Sequence, residues 1–156
     1  AGGDLTGNKA VDALLYQKRK QAEGEDIKWE CDMQMPKGCC INEFDLCVLM
    51  GNILDNALEA CGRMQKDENR FINIQARTVK KCFLIEVKNS MDRTEKFTEG
   101  FTNKDDSQEH GIGLLNVGDV VNRYNGAVHK EAGKGIFVIS ILMPFPDTAH
   151  DTKTAV

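Results

Sequence analysis

Three polar side chains recur at steps of four and three residues on one side of a largely apolar stretch: Asn52, Asn56 and Glu59 within FDLCVLMGNILDNALEACGR, residues 44–63. In an α-helix a step of four is about 400° of rotation, so the two amides lie about 40° apart, one turn above the other. Asn is a mediocre helix former, because its side chain competes for backbone hydrogen bonds. Two of them in a helix interior imply a task for that face, with a solvated polar face as the plain alternative. A second stretch, HGIGLLNVGDVVNRY at residues 110–124, places Gly111-x-Gly113 at the start of an amphipathic run. A helix start offers unpaired N–H groups and the positive end of the helix dipole, and glycine lets a ligand come close. Anionic phosphate is the natural ligand of such a place. Alone, Gly-x-Gly says little, and it is neither a Rossmann fingerprint nor a P-loop, since no Gly-Lys-Ser/Thr follows. Together with amide oxygens it makes sense: Mg²⁺ keeps several waters and bridges protein oxygens to substrate phosphates.

The elements that must position these groups follow from periodicity. Leu46, Met50, Ile53, Ala57 and Cys61 form the core stripe of the long helix, with Asn42 as N-cap and Glu43 in its first turn. Upstream, Lys9 to Ala22 reads as a helix capped by Thr6 or Asn8, with Val11, Leu14, Leu15 and Lys18 on its partly buried side. Ile27 to Met33 alternates with period two, as a half-buried strand does. Phe71 to Val79 and Phe83 to Val87 read as two strands joined through Lys80-Lys81. Met91 to Glu109 lacks apolar periodicity, and a loop of about 20 residues is usually a lid, a binding loop or disordered. A helix from Ile112 to Tyr124, with Val117, Val120, Val121 and Tyr124 as core, is stopped by Asn125-Gly126. Ala127 to Lys130, a Gly133-Lys134-Gly135 turn and Ile136 to Met143 make a final hairpin. The expected class is α+β: a two-layer α/β sandwich whose mixed, mostly antiparallel sheet carries three main helices on one face. Residues 1–6 read as a flexible end or expression remnant, 7–146 as one domain, and 147–156 as a disordered tail.

Composition narrows the partners. The chain has 156 residues and a net charge of −4, with no basic run interleaved with aromatics, so no nucleic-acid surface is expected. It shows no apolar run of membrane-spanning length and no signal peptide, which points to a cytoplasmic domain without direct membrane contact. The six cysteines lack disulfide-framework or metal-ligand spacing and fit reduced, mostly buried thiols.

At this point the motifs match a known family. NILDNALEA resembles the N box, and HGIGL with the following NV resembles the second glycine box, of the GHKL (Bergerat) ATP-binding fold. That superfamily contains gyrase, a heat-shock chaperone class, sensor histidine kinases and mismatch-repair ATPases. Within it, TGNKAVDALLYQKRKQA resembles the junction between dimerisation helix and catalytic domain in quorum-sensing receptor kinases of the Agr and Vir type. The likeness covers Leu5 to Phe145.

The resemblance implies the residue roles. Asn56 would coordinate Mg²⁺, with Asn52 assisting at metal or triphosphate, and these two would serve the catalytic step. Gly111, Ile112, Gly113 and Leu114 would offer main-chain N–H groups to the phosphates of ATP. Thr102-Asn103-Lys104 resembles a lid segment, so Thr102 and Lys104 would reach the nucleotide. Where most histidine kinases carry Asp-x-Gly-x-Gly, this chain has Asn89-Ser90-Met91, so Asn89 is expected at adenine, accepting through its carbonyl, with Met91 beside it. Glu59 stands where many relatives have Lys and would orient a metal-bound water. His110 is a possible phosphate contact or simply part of the lid hinge, and Asp55 either faces solvent or bonds within the site. His129 and His150 have no readable carboxylate or metal partner. The implied activity is transfer of the γ-phosphoryl group of ATP to a histidine on a separate dimerisation domain of a homodimeric parent kinase, with a response regulator downstream. Two alternatives stay open: another GHKL enzyme, such as an anti-sigma-type serine kinase or an ATPase, and a degenerate module that keeps the fold without the nucleotide.

Overall fold

In a computed structural model of the chain, residues 6–38, 40–95 and 111–146 are described, residues 111–115 by backbone alone. The elements run α1 (Lys9–Gly24), β1 (Lys28–Met33), α2 (Glu43–Gly62), β2 (Phe71–Val79), β3 (Cys82–Ser90), α3 (Gly111–Arg123), β4 (Ala127–Gly133) and β5 (Ile136–Pro144). The five strands form one sheet in the order β1-β2-β3-β5-β4. β1 pairs parallel with β2, and every other pairing is antiparallel. The expected α+β sandwich is therefore present, with the one parallel pair joined by the α2 crossover.

Alternation sets the two faces of the sheet. Ile72, Ile74 and Ala76 of β2, Phe83, Ile85 and Val87 of β3, and Phe137, Ile139, Ile141 and Met143 of β5 are buried against the helices. Their sequence neighbours point to the other face, so each strand contributes every second residue to the core. The α2 stripe is wider than expected: besides Leu46, Met50, Ile53, Ala57 and Cys61, it buries Leu49, Leu54, Leu58 and Ala60. The reason is position, since α2 is the central helix, flanked by α1 on one side and α3 on the other, and must cover sheet as well as helix.

Helix starts are capped as the residue types suggest. Asn8 accepts from Val11 N at 3.0 Å, and Asn42 accepts from Asp45 N at 2.7 Å. Thr6 supports the first cap by donating to Asp12 Oδ1 at 2.7 Å. α1 and α2 run parallel, side by side: Asn8 donates to Glu43 at 2.9 Å, Leu14 lies over Gly51, and Lys18 pairs with Asp55 at 2.5 Å. Turns use the left-handed region where the fold requires it, at Lys80 (φ 57°) between β2 and β3, and at Lys134 (φ 55°) and Gly135 (φ 80°) between β4 and β5. Asn125 (φ 57°) ends α3, and Gly126 N donates back to Val121 O at 3.0 Å. Three strands outrun their expected ends: β3 reaches Ser90, β4 reaches Gly133 and β5 reaches Pro144, because each has a paired neighbour at that level.

Candidate functional site

Strand and helix directions decide which residues can meet. At one end of the sandwich, Tyr124 at the foot of α3 donates to Asp45 in the first turn of α2. At the other end, Cys61 near the end of α2 lies against Ser90, the last residue of β3, with Sγ 3.4 Å from Oγ. α3 leads down into β4, whose first residue, Ala127, pairs with Leu142 near the Asp45 end of the sheet. So α3 runs antiparallel to α2, and its first turn sits at the Ser90 end.

A helix rise of about 1.5 Å per residue puts Asn52 about 10 Å and Asn56 about 16 Å above Asp45. By the same measure Gly111 to Leu114 lie about 15 to 20 Å above Tyr124. Asn56 therefore stands at the level of the α3 start on the neighbouring helix, and Asn52 lies one turn below it. Gly111, Ile112, Gly113 and Leu114 are the first four residues of α3, whose N–H groups the intrahelical pattern leaves without carbonyl partners. The helix begins at Gly111 itself, one residue before its expected start, so both glycines lie inside the first turn.

Asn52 and Asn56 are half-buried, between the core stripe and the exposed side of α2. Among the described residues neither amide has a hydrogen-bond partner, which leaves their oxygens open to a ligand. Asn89 ends the inward row of β3 and is 2% exposed. Its Nδ2 donates to Ser90 O at 2.9 Å, and no described donor reaches its Oδ1. Ser90 beside it knits the same end: its Oγ accepts from Phe71 N at 2.9 Å. Burial is the main cause that pushes the Cys61 thiol above its ordinary pKa, and its hydrogen bonds to Ser90 and Phe71 offset only part of that. Met91 is buried in the core cluster, and its N–H donates to Gly135 O at 2.9 Å. Arg63, which caps α2, pairs with Glu95 and so ties the chain leaving β3 to α2.

The other expected residues fall elsewhere. Asp55 is outside the site, half-exposed and paired with Lys18 of α1. Glu59 is exposed. His129, for which no carboxylate was readable, faces Glu131 at 3.0 Å on the exposed side of β4. Tyr124 is half-buried and packs against the core cluster, with its hydroxyl donating to Asp45. Thr102, Lys104, His110, His150 and most of the expected lid lie outside the described residues.

Among the described residues there is no cluster of three or more His, Cys, Asp or Glu side chains able to hold a metal. A cation at this end would rest on amide oxygens and on the ligand's own phosphates. Amide carbonyls are hard donors, and Mg²⁺ bound through few protein ligands plus phosphates fits that set.

A family model described as a GHKL domain matches residues 41–144, two thirds of the chain, from the residue before the α2 cap to the end of β5. The chain belongs to the GHKL family. A probable C4-dicarboxylate sensor kinase of Halalkalibacterium halodurans is 31% identical over 153 residues, spanning 88% of this chain. The chain covers only 27% of that relative's length. Among solved structures, the nucleotide-free catalytic domain of histidine kinase ThkA superposes with a TM-score of 0.67 at 18% identity, covering 90% of this chain and 92% of that one. The Acinetobacter baumannii histidine kinase AdeS superposes with a TM-score of 0.65 at 13% identity, covering 88% of this chain and 64% of that one. This GHKL domain thus has the fold of histidine kinase catalytic domains. Among its described residues, no helix is long and apolar enough to cross a membrane.

Proposed function

We propose that this domain binds Mg²⁺-ATP at the Ser90 end of the sandwich and delivers the γ-phosphoryl group to a histidine on another domain of a parent sensor kinase. The observation that carries this reading is the level that Asn56 shares with the first turn of α3, with Asn52 one turn below: hard oxygen donors on the helix beside unpaired N–H groups. In the proposed complex, Asn56 and Asn52 hold the metal and triphosphate, and the N–H groups of Gly111 to Leu114 bind phosphate oxygens. Asn89 accepts from the adenine amino group through Oδ1, with Met91 walling the base. Thr102 and Lys104 reach the phosphates from the segment between β3 and α3. The metal's contribution is to offset phosphate charge, whereas the chain's residues fix where the γ-phosphorus points. Phosphoryl transfer asks a protein mainly for this kind of positioning and electrostatic support.

The partners follow from the same reading: a phosphoacceptor domain in a homodimeric, membrane-bound parent, and a response regulator beyond it. The resemblance around residues 6–22 supports a quorum-sensing parent of the Agr and Vir type. The 31% identical relative, described as a probable C4-dicarboxylate sensor kinase, favours a second reading, a small-carboxylate receptor. The test is to incubate the domain with γ-labelled ATP, with and without the parent's dimerisation domain. Acid-labile, alkali-stable label on that domain, and none on the isolated chain, is the expected result. Label on a serine would make it the anti-sigma type of enzyme, and release of phosphate alone an ATPase. No nucleotide binding by the folded chain would leave the interaction module.

A further inference from the structure

Asp45 is the only buried carboxylate among the described residues, 5% exposed in the first turn of α2. It lies at the opposite end of the helix from the candidate site. Its Oδ2 accepts from Tyr124 Oη at 2.5 Å, its Oδ1 faces Arg123 Nη1 at 3.4 Å, and its own N–H donates to Asn42 Oδ1 at 2.7 Å. Asn42 N donates in turn to Tyr124 Oη at 3.3 Å, which closes a ring between the start of α2 and the end of α3. A buried carboxylate is costly unless it is well partnered, so the ring is what makes this position tolerable.

The rest of the α3 contact is of a different kind. Val117, Val120 and Val121 face the core, and among the described side chains only Arg123 and Tyr124 bond α3 to α2. Apolar contact is non-directional and tolerates sliding along the helix axis, whereas a hydrogen bond to a carboxylate has a fixed length and direction.

We infer that the Asp45–Tyr124 pair is a positioning device: it fixes the axial register of α3 on α2, and with it the level of the N–H groups of Gly111 to Leu114 relative to Asn56. The inference rests on the reading of that end as a nucleotide site. The lever is long, about 15 to 20 Å from Tyr124 to those N–H groups. A slip of about 1 Å is enough to spoil hydrogen bonds to a phosphate. Adenine would not feel the slip in the same way, because Asn89 belongs to the sheet, not to either helix.

The test is the ratio of ATP to adenosine affinity, measured by calorimetry with Mg²⁺, in the intact domain and in Tyr124→Phe and Asp45→Asn. Tyr124→Phe should bind ATP roughly ten-fold more weakly while adenosine changes less than about two-fold. Asp45→Asn keeps a neutral acceptor and should lower the ratio by a smaller factor, which also serves if Tyr124→Phe does not fold. An unchanged ratio in folded Asp45→Asn or Tyr124→Phe, or a parallel loss of adenosine and ATP, overturns the proposal. Failure of the wild-type domain to bind either compound would overturn the site reading, and the positioning role with it.

Discussion

Asn89 closes a row of inward side chains, Phe83, Ile85 and Val87, that is otherwise hydrocarbon. Nothing in the packing of β3 asks for an amide there, and its carbonyl oxygen has no described donor. The proposed adenine contact would account for it. Replacement by an apolar residue of similar volume removes a half-satisfied buried group, so Asn89→Leu should alter stability by no more than about 1 kcal/mol. The same substitution should weaken adenosine binding roughly ten-fold or more, because the base would lose its acceptor. Calorimetric titration and a thermal melt read the two effects separately. Unchanged adenosine affinity would remove Asn89 from the site. The sequence made this residue visible only through the resemblance, since its burial depends on which face of β3 meets the helices.

At the scale of elements, the joint between α3 and β4 shows how tightly the layers are set. A Cβ on Gly126 would stand 2.6 Å from Leu142 O and 2.8 Å from Val121 Cγ1. Gly126→Ala should therefore cost about 1 to 3 kcal/mol in a denaturant melt, the usual range for overpacking. A neutral effect would mean that the joint yields. Asn125-Gly126 was legible as a helix stop, but not the division of labour, in which Asn125 takes the left-handed turn and Gly126 admits the neighbouring strand. Helix and strand periods were legible because each element buries one continuous face. Contacts between distant segments were not: Lys18 with Asp55, and Asp45 with Tyr124, join residues whose spacing in the chain carries no period. The sequence pointed to Glu43 as the first-turn acid; Asp45 stands in the same turn, and only the packing of α3 makes it a buried partner.

For the whole molecule, the Ser90 end is where α2, β2, β3 and α3 converge, and Cys61 is bonded at the centre of that junction. Burial raises its thiol pKa in the folded state, so over the alkaline range the native chain holds a proton that the unfolded chain has lost. That contribution is complete below the unfolded thiol's pKa of about 8.5 and is lost as pH rises through the folded value. Lys130, whose ammonium burial pulls down to about 8, works in the opposite sense, so the raw pH profile mixes the two. The difference between wild type and Cys61→Ala isolates the thiol: the wild-type advantage in thermal midpoint should shrink between pH 7 and pH 10. A constant difference would mean that the thiol titrates alike in both states. One titration tests most directly whether this end is a nucleotide site: ATP into the domain with and without Mg²⁺, beside Asn56→Asp and Gly113→Ala. Alanine is the better helix former, so Gly113→Ala should keep or raise the stability of α3. A nucleotide site here should give saturable, Mg²⁺-dependent ATP binding by the wild type and its loss in both folded variants. No binding by the wild type at millimolar nucleotide, or equal binding by all three, would contradict it.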